Sequence, residues 1–292
     1  MVARDPPASA PLESLARYFD RQGGRVYTRR DVMRTLAGAR QELALRSAAT
    51  HLLDSLIESN LLVSVLLKSE ADYPQLRRYV WRSASSFEVA VSLRKDSYVS
   101  HSTAVFLHGL TDHVPQTQYV NAEQSPKPAP TGEMTQASLD RAFRTSQRIS
   151  RLAYIHGTTR IVIISGKSTD RLGVVPLPVA EGRSVDATSL ERTLVDLVVR
   201  PAYGGGVHQV LSVFRAARER VSVPKIIAVL DDLNYAYPYH QALGFYLERA
   251  GAAAAELRPL RRRPKRLKFY LAHGLKEPAF DDSWQIYIPK RL

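Results

Sequence analysis

Apolar residues in the first third of the chain recur with the period of helices and then form two strand-like runs. Thr28 is the predicted N-cap of the second helix, with Asp31 as its capping-box partner. Helix, turn, helix and hairpin is the order of a winged helix-turn-helix, and we predict one over residues 1–83. The predicted helices are Leu12–Gln22, Arg29–Ala37 and Leu45–Asn60, and the strands are Leu61–Leu67 and Leu76–Trp81, joined by the turn Lys68–Pro74.

The third helix has one apolar side and one polar side, and the polar side carries groups that can bind DNA. A recognition helix enters the major groove with its N-terminal residues toward the bases, whereas the surrounding cations hold phosphates. Helix pairs followed by hairpins also dock proteins, so a protein-binding module is the alternative. The residues expected at base edges are Arg46, Ser47, Thr50 and His51, and those expected at phosphates are Arg29, Arg30, Arg34, Lys68, Arg77 and Arg78.

Charge and composition favour a polyanionic partner. The 292 residues carry a formal net charge of +13, and double-stranded DNA is the first candidate. A membrane surface competes, but the basic residues are not gathered on one amphipathic helix, and no apolar run is long enough to span a bilayer. The sequence has no cysteine, which excludes disulfides and thiolate chemistry. Its first residues lack the apolar core of a secretory signal, so a cytoplasmic location is expected.

A second domain is predicted over residues 84–292, after the polar joint Ser83–Ser86. Its pattern is mixed α and β with a helical latter half, which makes the whole chain α+β. Its predicted helices are Phe87–Leu93, His101–His108, Ser138–Gln147, Ser189–Val199, Gly206–Arg218, Lys225–Leu233 and His240–Ala250. Its predicted strands are Gln118–Ala122, Leu152–His156, Arg160–Ser165, Gly173–Val179, Leu267–Leu271 and Trp284–Ile288, and Ser125–Gly132 is a Pro-rich loop.

The motifs that could carry catalysis or metal binding do not have the required spacing. His101 and His108 are seven apart, about two helical turns, which is too far for one ion. The triple glycine at Gly204–Gly206 lacks the Lys-Ser or Lys-Thr of a phosphate loop. Glu191 and Asp196 are five apart, on different helix faces, and Arg192 is expected in a structural ion pair or a partner contact. No enzyme activity, metal or cofactor is therefore predicted.

Two segments of the second domain resemble the AbiEi-type antitoxins. Ser97–Val120, in which a helix containing Ser100 and Ala104 follows Tyr98 and runs into His-Gly-Leu-Thr and a strand, is similar to a segment of that family. Val185–Gly206 is similar to the family's Leu-Glu-Arg-Thr-Leu-x-Asp helix, and Trp284–Pro289 to its ending. Read from the residues alone, these motifs are structural, and Thr188 and Glu191 are predicted to form a capping box.

The resemblance implies a bacterial type IV antitoxin that represses its own operon and neutralises a nucleotidyltransferase-like toxin. Two copies on a palindromic operator are expected, because one winged helix covers few base pairs. A winged-helix repressor with a ligand-sensing second domain is the other alternative. One departure from the family pattern is a dense basic run, interpreted as a solvated link, a phosphate contact or a toxin contact. It comprises Arg258, Arg261, Arg262, Arg263, Lys265, Arg266 and Lys268.

Overall fold

The computed structural model describes residues 9–128, 132–180 and 182–292, which form a mixed α+β fold. Most of the N-terminal lead predicted for residues 1–11, and the centre of the loop Ser125–Gly132, lie outside them. The helices are α1 (Ser9–Arg21), α2 (Arg29–Glu42), α3 (Ala49–Glu58), α4 (Ser86–Val91), α5 (His101–Leu107), α6 (Gln136–Arg144), α7 (Leu190–Val199), α8 (Val207–Ala217), α9 (Val223–Leu233), α10 (Tyr239–Arg249) and α11 (Ala254–Arg261). The strands are β1 (Val26–Tyr27), β2 (Leu62–Ser69), β3 (Leu76–Trp81), β4 (Tyr98–Val99), β5 (Thr117–Glu123), β6 (Ala153–His156), β7 (Thr159–Gly166), β8 (Val174–Ala180), β9 (Arg183–Thr188), β10 (Phe269–Tyr270), β11 (Ala279–Asp281) and β12 (Ile286–Ile288).

The chain forms two compact units, and the first is not contiguous in sequence. Unit 1 comprises the described residues up to Lys95 together with Leu152–Ile161, and unit 2 comprises Asp96–Arg151 and Val162–Leu292. The boundary predicted at residue 83 falls within unit 1. The return of the chain to unit 1 at Leu152 has no counterpart in the prediction.

Unit 1 packs α1, α2 and α3 on a small antiparallel sheet in the order β1-β3-β2-β6. In the hairpin, Leu62 pairs with Trp81 at one end and Leu67 with Leu76 at the other. Its core is centred on Trp81, which is fully buried and stacks on Phe19 with ring centroids 4.7 Å apart. The Trp81 indole N–H donates to Asp20 at 2.9 Å, so the ring's polar edge is also satisfied.

The turn between α2 and α3 differs from the prediction, for a reason visible in the backbone. Helix α2 continues to Glu42, and Ala44 then adopts a left-handed φ of 52°. The Leu45 N–H donates to the Arg40 carbonyl at 3.0 Å, the bond of a Schellman C-cap. These residues therefore end α2, and α3 begins at Ala49 rather than at Leu45. The left-handed position is occupied by alanine rather than by the glycine usual at such helix ends, so the end of α2 could not be predicted from the sequence.

Unit 2 contains strands in the order β7-β5-β4-β9-β8, a second sheet in the order β10-β12-β11, and most of the helices. Strand β7 begins in unit 1 and ends in unit 2. Helix α7 is buried on nearly every side, among the helices of the C-terminal half. Its N-cap is Ser189, which accepts from the Arg192 N–H at 3.2 Å. The capping box predicted for Thr188 and Glu191 is wrong, because the Thr188 hydroxyl is buried against Thr193.

Candidate functional site

The first candidate site is the surface at the N-terminal end of α3. It comprises Arg46, Ser47, Thr50 and His51, and we call it the α3 face. All four side chains are exposed, and they make no hydrogen bond or ion pair with the described residues. Arg46 and Ser47 lie in the turn before the helix, so the prediction that Arg46 is a helical residue is wrong. Leu52, Leu53 and Leu56 on the other side are buried in the core of unit 1.

Cations of α2 lie at the first turns of that helix and are exposed: Arg29, Arg30 and Arg34. The helix starts where the sequence predicts, because Thr28 and Asp31 form a capping box with both N–H···O distances at 3.2 Å. Hydrogen bonds from Thr28 lower the pKa of the Asp31 carboxyl despite some desolvation. Asp31 also lies 3.5 Å from Arg34, so Arg34 is partly neutralised.

The hairpin cations divide into exposed and buried groups. Lys68 is exposed near the end of β2, and Arg77 donates to the Ser64 hydroxyl at 2.8 Å on an exposed surface. Arg78 is only 7% exposed, and its guanidinium donates to the Ser92 carbonyl at 3.0 and 3.1 Å. Its prediction as a phosphate contact is therefore wrong: Arg78 connects the hairpin to the end of α4.

The basic run is ordered around the end of α11 rather than being a featureless link. Arg261 binds Glu248 and lies over the Trp284 ring, and Arg263 donates to both Asp231 oxygens at 2.6 and 2.7 Å. The Lys265 ammonium also lies over Trp284, at 5.3 Å. These three cations hold α11 on α9, α10 and the Trp284 ring.

The other members of the run are outward facing. Lys268 is exposed, with its ammonium 5.3 Å from the Phe280 ring. Three further arginines, Arg258, Arg262 and Arg266, are exposed and make no side-chain hydrogen bond or ion pair in the part of the chain that the structure describes. They are therefore the members of the run that are available to a partner.

The second candidate site was not predicted from the sequence. It is a cleft of about 500 Å³ built wholly from residues of unit 2, which we call the basic cleft. Its walls combine basic side chains, tyrosines and neutral amides. The residues used below are Arg148, Lys167, Arg192, Arg200, Asp196, His101, Asn121, Gln124, Gln147, Tyr235 and Tyr237.

A buried ion pair forms part of the wall of the basic cleft. The Arg192 Nε donates to Asp196 at 2.9 Å, and both side chains are nearly inaccessible, at 4% and 6% exposure. A second Arg192 nitrogen donates to the Leu172 carbonyl at 2.6 Å. Burial raises the pKa of the Asp196 carboxyl, against the opposing effect of the Arg192 charge. Of the two predictions for Arg192, the ion pair is confirmed, and its partner is Asp196, the last residue of the Leu-Glu-Arg-Thr-Leu-x-Asp motif.

The remaining cations of the cleft have no carboxylate partner among the described residues. Lys167 donates to the carbonyls of Leu233 and Asn234 at 2.5 and 2.8 Å, which positions its charge without cancelling it. Arg148 is exposed, and Arg200 lies 5.9 Å from the Tyr203 ring. Because the charges of Arg192 and Asp196 offset each other, the cleft is left strongly positive.

A fixed amide faces the cleft from β5. The Asn121 Nδ2 donates to the Tyr98 hydroxyl at 2.6 Å, and that hydroxyl donates to Glu123 at 2.9 Å. A Cβ at Gly166 would lie 2.2 Å from the Asn121 oxygen, so glycine is needed there to leave room for the amide. The chain of bonds assigns the Asn121 nitrogen to Tyr98 and leaves its oxygen on the Gly166 side.

His101 is a buried, neutral histidine in an unusual backbone conformation. Its φ is 53°, in the left-handed region that few residues other than glycine adopt, although histidine does so more often than most. Its Nδ1 lies 2.9 Å from the Ser100 hydroxyl, and its ring contacts Tyr203 edge-on. Burial, and then the charges of Arg200 and Arg192, lower the pKa of its imidazole to about 3. Strained residues of this kind cluster at functional sites.

Within residues 9–128, 132–180 and 182–292, no three His, Asp or Glu side chains come together as a metal site. No helix in the same ranges combines the length and apolarity needed to cross a bilayer.

Comparison with known proteins gives a likeness of fold. No family model and no curated protein matches the sequence. Among solved structures, the chain is similar to the RV2827C protein from Mycobacterium tuberculosis, with a TM-score of 0.57 and 16% identity over 98% of this chain and 92% of that one. At this identity the similarity extends to the fold alone: this chain shares its mixed α+β architecture with the mycobacterial protein over nearly its whole length.

Proposed function

We propose that the protein is an autoregulating antitoxin: unit 1 binds operator DNA as a winged helix-turn-helix, and unit 2 neutralises a nucleotidyltransferase-like toxin. The observation that carries the DNA-binding part is the α3 face. Four exposed groups able to bind base edges, two in the turn before α3 and two in its first turn, lie at the N-terminal end of a helix whose other side is buried. The sheet order β1-β3-β2 behind α1, α2 and α3 supports the same assignment.

In this arrangement Arg46 has a different role from the α2 and hairpin cations. An arginine at the start of a recognition helix can bind a guanine edge through two parallel hydrogen bonds, which discriminates sequence. Arg29, Arg30, Lys68 and Arg77 would meet phosphates, which are the same in every sequence. Two copies on a palindromic site would supply the remaining specificity.

Sequence-specific DNA recognition can be tested by fluorescence anisotropy over a range of salt concentrations. The protein's binding to its own upstream promoter is compared with its binding to a scrambled duplex of equal length. Arg46→Ala should reduce the preference for the promoter by about tenfold or more, since a bidentate base contact contributes roughly 1–3 kcal/mol. Arg29→Ala should weaken binding to both duplexes about equally and lower the salt dependence.

Arg17→Ala is the matched control, because it removes an equal charge from an exposed position on α1. Its promoter preference should remain that of the parent protein. Equal binding of both duplexes by the parent, fading steeply with salt, would contradict specific recognition and would favour a protein-binding module.

Neutralisation is assigned to the outward members of the basic run. Arg258, Arg262 and Arg266 can meet an acidic toxin surface without disturbing the fold, whereas reversal of Arg261 or Arg263 would break ion pairs with Glu248 and Asp231. We expect the triple change of Arg258, Arg262 and Arg266 to Glu to abolish rescue of growth in cells that express the toxin encoded beside it. Thermal unfolding should stay unchanged.

The control is an equal charge reversal at Arg141, Arg220 and Lys225, three exposed cations elsewhere in unit 2. Rescue should survive in that variant. Rescue that also survives in the first variant, together with weaker DNA binding, would show that the run holds phosphates instead.

A repressor with a ligand-sensing second unit is the second candidate function, and the basic cleft is the observation that favours it. Sensor pockets are concave and bring a few polar groups together. Because Arg148, Lys167 and Arg200 have no carboxylate partner among the described residues, an effector bound in this cleft would have to be anionic. Release of the promoter on addition of an anionic ligand would distinguish this function from constitutive repression.

A further inference from the structure

The basic cleft is separate from the residues proposed for DNA and toxin binding. It lies wholly in unit 2, and its volume of about 500 Å³ falls in the range of small-molecule sites. Three of its cations, Arg148, Lys167 and Arg200, have no carboxylate partner among the described residues. The one carboxylate among the described lining residues, Asp196, is bound to Arg192. The charge of the cleft therefore calls for an anion of more than one charge.

The type of cation indicates a phosphate rather than a single carboxylate. Guanidinium groups bind phosphate oxygens through paired hydrogen bonds, and an ammonium group adds a compact charge. Arg200 follows the last residue of α7, and Lys167 is held by two carbonyls at the end of α9. Because these positions are on packed elements of unit 2, the two charges are preorganised.

Planar and amide groups line the remainder of the wall. The half-buried rings of Tyr235 and Tyr237 are separated by one residue and both line the cleft. Aromatic rings stack on nucleobases and tolerate any of them. Gln124 and Gln147 also line the cleft, together with the fixed amide of Asn121. Amide side chains can both donate and accept hydrogen bonds, as recognition of base and ribose edges requires.

We propose that the basic cleft binds a nucleoside triphosphate, with its phosphates on Arg148, Arg200 and Lys167 and its base against Tyr237, because the Lys167 ammonium already lies 5.4 Å from the centre of the Tyr235 ring. The two halves of the ligand are needed together. Inorganic phosphate would bind the cations but would not contact the tyrosines and amides that line the rest of the wall. An acidic peptide would supply charge but no planar ring.

Isothermal titration calorimetry on the full chain tests the proposal, with ATP, GTP, CTP and UTP each compared with pyrophosphate and with the parent nucleosides. At least one triphosphate should bind ten times or more tightly than pyrophosphate and than its own nucleoside. Arg148→Gln and Arg200→Gln should each weaken that triphosphate by about tenfold or more, as expected for loss of a charge-assisted hydrogen bond.

Arg220→Gln is the matched control, because Arg220 is an exposed arginine of unit 2 outside the cleft. It should leave the affinity unchanged. Absence of binding by all four triphosphates would overturn the proposal, and so would pyrophosphate or a hexaglutamate peptide binding as tightly as the nucleotide. Equal weakening by Arg220→Gln would also overturn it, because attraction to net charge would then explain the binding. All of these measurements are independent of promoter binding and toxin rescue.

Discussion

Asp196→Ala is expected to lower the free energy of unfolding of unit 2 by about 3–5 kcal/mol. The substitution leaves the Arg192 guanidinium buried at 4% exposure with its main anionic partner gone. Arginine cannot shed its proton to escape this cost. Urea unfolding followed by Trp284 fluorescence in a Trp81→Phe background measures the effect in unit 2, because the chain has two tryptophans and Trp81 belongs to unit 1.

Two further variants serve as controls for the loss of the buried charge pair. Glu277→Ala breaks an exposed pair with Lys290 and should cost less than about 1 kcal/mol. The double change Arg192→Met and Asp196→Leu removes both charges at once, and it should be much less damaging than Asp196→Ala alone. If Asp196→Ala were as mild as Glu277→Ala, water would have to be solvating Arg192 or an anion in the cleft would have to be neutralising it.

His101→Asn should remove a large part of the acid sensitivity of unit 2. The imidazole has a pKa near 6.5 when unfolded and about 3 when folded. Between these values the unfolded chain binds a proton that the folded chain does not, so stability is full above pH 6.5 and falls as the pH drops toward 3. The slope is about 1.4 kcal/mol per pH unit. Asparagine suits the test because it tolerates a positive φ.

The measurement is the free energy of unfolding at several pH values between 6.5 and 4, taken as the difference between parent and variant. That difference cancels the effects of the other buried histidines, such as His240, whose pKa burial lowers to about 4. His113→Asn, at an exposed position, should leave the slope unchanged. A slope equally steep in His101→Asn and the parent would mean that His101 is accessible to protons in the folded state.

Local patterns predicted most elements of the fold, because period and capping depend on neighbours in sequence. The hairpin, α7 and its neighbours, and the Thr28 cap appear where the pattern indicates. The predictions that failed concern side chains whose environment is set by residues far away in the sequence. In the sequence Arg78 resembles any other hairpin cation, but in the fold it donates hydrogen bonds to Ser92. Arg261 likewise resembles a solvated cation in the sequence, but in the fold it contacts Glu248 and Trp284.

The basic cleft could not be predicted for the same reason. Its cations come from three separate stretches, at Arg148, at Lys167 and at Arg192 with Arg200, and its rings from Tyr235 and Tyr237. No short motif links these positions. The one local signal was the Arg192 and Asp196 spacing of four on a helix, which indicates an ion pair but not a cavity beside it.

The interrupted sequence of unit 1 has a consequence for synthesis of the protein. Residues Lys68 and Ser69 of β2 pair with Tyr154 and Ile155 of β6, which the ribosome reaches only after making Asp96–Arg151. At a synthesis rate of roughly 5–20 residues per second, the edge of β2 that pairs with β6 remains unpaired for several seconds. An unpaired edge can recruit another strand. The sheet of unit 1 is therefore completed only after the first part of unit 2 has been synthesised, and a fragment ending at Lys95 would lack β6 altogether.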